Sequence, residues 1–60
     1  MSATLLQAAR LLIQRYGDAA ERAAAERATA LMDDGDTVGA ATWLHFVDAV
    51  RQLQGRGLPA

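Results

Sequence analysis

The stretch AERAAAERATALMDDGDTVGAATWLHFVDAVRQLQ, residues 20–54, decides the fold. Its first half sets Ala20, Ala24 and Ala28 four residues apart. That spacing returns to one side of an α-helix, so the three methyl groups form a small face. Beyond Gly35-Asp36, Trp43, Phe46, Val47, Val50 and Leu53 recur at helical spacing and form a large apolar face. A small face opposite a large one lets two helices pack closely. The pattern predicts a helical hairpin whose core holds both faces together with Leu31, with Trp43 buried against the three alanines at its centre.

The two helices of the hairpin are expected over about 19–33 and 37–54. Alanine, the strongest helix former, dominates the first. Arg22, Glu26, Thr29 and Asp33 fall on its outer side. Between the helices, Gly35 supplies a positive φ and Asp36 is placed to cap the next helix. Gly55 ends that helix, and residues 55–60 read as a frayed tail.

Upstream, Leu5, Leu6, Ala9, Leu12, Ile13 and Tyr16 share one arc of a helix over about 4–16. Thr4, with Gln7 three residues on, has the spacing of a capping box. Leu11 falls on the polar side of this helix. Gly17 reads as a stop, and Asp18 with Glu21 as a second start. One kinked helix running through Gly17 is the alternative.

Sixty residues make one small domain. A chain of this size buries about 60% of the surface its unfolded form exposes, so it needs a staple or a partner. It has no cysteine and one histidine, which excludes a disulfide and an ordinary zinc site. Association with a second copy or with another protein is therefore expected. The formal charge is −1, and the six arginines alternate with acids from Asp18 onward. No basic stripe of the kind nucleic acid selects is present. The absence of lysine beside abundant alanine points to a GC-rich bacterial coding sequence. The apolar run Leu11–Ile13 is bracketed by Arg10 and Arg15, unlike a secretory signal, and nothing approaches a membrane span of about 20 residues. A cytoplasmic location is the default expectation.

From about Leu11 to Gln54 the spacing of Tyr16-Gly17, Asp18-Ala19, Arg27-Ala28, Leu31, Gly35-Asp36, Gly39, Trp43-Leu44, Phe46, Ala49-Val50 and Leu53-Gln54 resembles a family of small uncharacterised helical proteins of alphaproteobacteria. The resemblance implies a shared fold and assigns no function. In that pattern a basic residue more often follows Trp-Leu, where this chain has His45, which weakens a specific role for the imidazole.

Chemistry is sparse. His45, Asp48 and Gln52 share the outer side of the last helix, with no nucleophile or second acid to complete a catalytic set. Asp33, Asp34 and Asp36 could hold a cation, but an EF-hand counted from Asp33 would require glutamate where Leu44 stands. Turn and cap roles already account for Gly35 and Asp36. The arginines and leucines of the first helix could lie on an anionic membrane, though a core stripe explains the leucines better.

The expected architecture is therefore all-α. It has three helices, the last two a close-packed antiparallel hairpin, completed by oligomerisation. The expected function is a non-enzymatic interaction module, a homodimer or a small accessory subunit, with Leu11 and Leu44 as candidate interface. A monomeric regulator that binds a protein transiently comes second; a weak cation-binding or membrane-surface protein comes third. No catalytic, cofactor or metal residue is assigned.

Overall fold

The start of the first helix is set by Ser2, not Thr4. The Ser2 Oγ accepts a hydrogen bond from the Leu5 N–H at 3.2 Å. Ala3, a strong helix former, extends the helix back to this hydroxyl and places Thr4 inside it. The computed structural model describes residues 2–55, and the expected tail over 56–60 lies outside them. Helix α1 spans Ala3–Tyr16, α2 spans Ala20–Asp33 and α3 spans Thr37–Leu53, and there is no strand among the described residues.

Gly17 acts as both stop and bend. Its φ of 57° and ψ of −126° suit a residue without a Cβ, and its N–H donates to the Ile13 carbonyl, closing α1. A 3-10 turn, Gly17–Ala19, then continues the winding directly into α2. The described residues thus form two helical stretches, 3–33 with a bend at Gly17 and 37–53, where three separated helices were expected. The physical reason is that tighter i→i+3 turns take over before any extended residue intervenes. Asp18 does not open α2 as a cap: it lies within the 3-10 turn, and the capping position, Ala19, has no side-chain bond.

Asp34-Gly35-Asp36 separates α2 from α3. Gly35 has φ 82°. The Asp36 N–H donates to the Leu31 carbonyl at 2.9 Å, and the Asp36 carboxylate accepts from the Gly39 N–H at 2.9 Å. The expected turn and cap are both present. At the other end, α3 closes with Gln54 as its cap and Gly55 at φ 73°.

Contact between α2 and α3 is the most extensive in the molecule, followed by α1 with α3, while α1 and α2 touch least. Early α2 meets late α3 through Glu21 and Arg51, and late α2 meets earlier α3 where Met32 and Leu44 share a groove. The buried side chains are Ala9, Ala20, Ala24, Ala28, Ala40, Ala49, Val47 and Val50. Leu5, Leu12 and Ile13 of α1 pack partly buried around Ala9, Ala20, Ala49 and Val50.

This corrects the expected core. Ala20, Ala24, Ala28, Val47 and Val50 are buried as expected, but Trp43, Phe46 and Leu31 are only half-buried and Leu53 is 40% exposed. Val50 is the largest fully buried side chain. Alanines draw the two backbones so close that the space between them takes methyl and isopropyl groups; an indole has to turn to the flank. There Trp43 meets Phe46 edge to face, with centroids 5.0 Å apart and planes at 77°.

Candidate functional site

Along the α2–α3 pair, one side carries two recesses. At the end near Gly17, Ala19, Ala25 and Val47 line an open cavity of about 590 Å³ together with Asp18, Glu21, Arg22 and Arg51. The Arg51 guanidinium donates to Glu21 Oε2 at 3.1 Å. That hydrogen bond, and then the carboxylate charge, raise the Arg51 pKa above its ordinary value. The Arg51 end of the pair is open to solvent and the Glu21 carboxylate is partly enclosed, so solvent screening keeps its contribution to the fold modest. At the other end, Ala28, Thr29, Met32, Asp33 and Leu44 line a smaller slot of about 160 Å³. Met32 and Leu44 are each 51% exposed.

A third opening lies between α1 and α2, about 430 Å³ in volume. Leu12 and Tyr16 line it from α1, Ala23, Glu26, Arg27 and Ala30 from α2, and Trp43 from α3. Arg15 stands over the Tyr16 ring at 5.6 Å. Trp43 therefore borders solvent as well as the core.

The two residues singled out as candidate interface are both on the surface, Leu11 at 65% and Leu44 at 51% exposure. They do not share a groove: Leu44 joins the α2–α3 slot, and Leu11 stands out from α1. Sequence reasoning missed Met32 and Val38, the latter 78% exposed. Met32 had a signal, since Ala25 and Met32 stand seven residues apart and form a second apolar row beside the buried one.

His45 is exposed, and the carboxylate beside it, Asp48, accepts instead from the Gln52 amide at 3.0 Å. Among the described residues no three His, Cys, Asp or Glu side chains come together to hold a metal ion. Among the same residues, no helix is long and apolar enough to cross a membrane. Compared with protein-family models, with curated proteins and with solved structures, the chain matches none.

Proposed function

We propose that this chain is a non-enzymatic helical interaction module that self-associates, as a homodimer or as a small subunit of a larger assembly. In this reading the antiparallel hairpin of α2 and α3 is completed by another chain. One observation carries it: among the described residues the buried side chains are six alanines and two valines, while Leu11, Met32, Val38 and Leu44 each remain more than half exposed. Full burial of a Leu, Val or Met side chain is worth about 1.5–3 kcal/mol. The fold leaves most of that gain unrealised at four positions, and a second surface is the means to realise it. The sparse chemistry supports the same reading, since His45 faces solvent and the nearby Asp48 carboxylate is engaged by the Gln52 amide.

Sedimentation equilibrium across micromolar concentrations tests the proposal. The mass is expected to rise above the 6.4 kDa of one chain as concentration increases. A helical monomer at every concentration would refute self-association and favour a module that binds a different protein transiently.

A further inference from the structure

The two ends of the α2–α3 side described above differ in shape and in charged residues. Arg22 and Asp33 stand eleven residues apart, about three helical turns, so they project from the same side of α2 roughly 16 Å from each other. Both are exposed, and neither has an ion-pair partner among the described residues. Arg22 borders the wide recess that Ala25 and Val47 line. Asp33 borders the slot from which Met32 and Leu44 stand exposed. One end of the face is thus a hollow rimmed by Asp18, Glu21, Arg22 and Arg51, with Arg22 outside the Glu21–Arg51 pair, and the other is a pair of apolar side chains beside an anion.

We infer that two copies pair through this face about a two-fold axis crossing α2 midway between Arg22 and Asp33. The inference rests on the self-association reading and specifies its geometry. A two-fold interface sets residue i against j and j against i. Here Met32 of each copy enters the Ala25–Val47 recess of the other, and Asp33 meets the partner's Arg22, twice per dimer. Arg51 on the same rim is engaged by Glu21, which leaves Arg22 as the cation that receives the incoming acid. Near the axis the side chains of α2 on this face are Ala25 and Thr29, small enough for two helices to cross closely, and the exposed Glu26, whose carboxylate has to turn out to solvent at the crossing. The apolar contacts supply affinity, and the charge pairs fix the register and exclude the parallel arrangement, which would set Arg22 against Arg22 and Asp33 against Asp33.

The test uses two single variants, Arg22→Asp and Asp33→Arg, each checked for helical circular dichroism and then examined by sedimentation equilibrium alone and as an equimolar mixture. Both positions are exposed, so both variants are expected to fold. Alone, each places like charges together at two points, and dimerisation is expected to weaken by about tenfold or more. Mixed, the all-acidic pair of positions on one variant faces the all-basic pair on the other. Both crossing points of the heterodimer then join opposite charges, and association is expected to return to near the original strength. Single variants that associate as well as the original chain would overturn this pairing while leaving self-association intact. A mixture that stays as weak as its components would overturn the charge register. An original chain that never associates would refute the reading beneath the inference, a result distinguishable from both.

Discussion

At the residue scale, the turn between α2 and α3 assigns different work to neighbouring aspartates. The Asp36 carboxylate satisfies the Gly39 N–H, one of the donors a helix start leaves without an internal partner. Asp36→Ala is therefore expected to lower stability by about 1 kcal/mol in a urea titration. Asp34 occupies the opposite situation, at the carbonyl end of α2, where a negative charge opposes the helix dipole. Asp34→Asn is expected to be neutral or stabilising by a few tenths of a kcal/mol. A loss of several kcal/mol on Asp34→Asn would mean that a cation is bound at the turn. The residues of this turn were legible in the sequence because glycine and aspartate carry their roles in local backbone chemistry. Ser2 was overlooked because a hydroxyl two residues before Thr4 competes for the same cap, and only the extent of the helix decides between them.

At the element scale, the decisive contact is alanine against alanine and valine. Ala24 is fully buried, so Ala24→Leu adds carbons where none fit and is expected to destabilise by roughly 1–3 kcal/mol. Trp43 sits on the flank, so Trp43→Ala is expected to cost about 2 kcal/mol, less than the roughly 3–5 kcal/mol of a fully buried aromatic. Thermal melts of the two variants check both magnitudes; a larger loss for Trp43→Ala than for any alanine enlargement would restore the indole to the centre of the core. Periodicity identified the side of α3 that faces its neighbours and correctly placed Ala20, Ala24, Ala28, Val47 and Val50. It did not give depth. Depth depends on how near the facing backbone comes, and here small residues on both helices, Ala40 and Ala49 included, bring it too near for Trp43 or Leu53 to lie between. Contacts between distant positions were equally illegible. Glu21 with Arg51, and the Gln54 amide that donates to the Gly17 carbonyl at 3.1 Å, depend on a register that no local pattern encodes.

At the scale of the whole molecule, the radius of gyration of 11.2 Å is close to the roughly 10 Å of a globule this long, so the helices do form one body. Among the described residues that body lacks a core of large side chains, since none bigger than valine is fully buried. A 60-residue chain without a disulfide has little other means of stabilising itself within one copy. The central claim is that association and folding are coupled, and the midpoint of thermal unfolding as a function of protein concentration tests it most directly. Followed by far-ultraviolet circular dichroism across a hundredfold range, the midpoint is expected to rise by on the order of 5–10 °C, as mass action requires for a small folded dimer. A cooperative transition whose midpoint stays fixed across that range would contradict the account, because the Ala–Val core would then be sufficient alone.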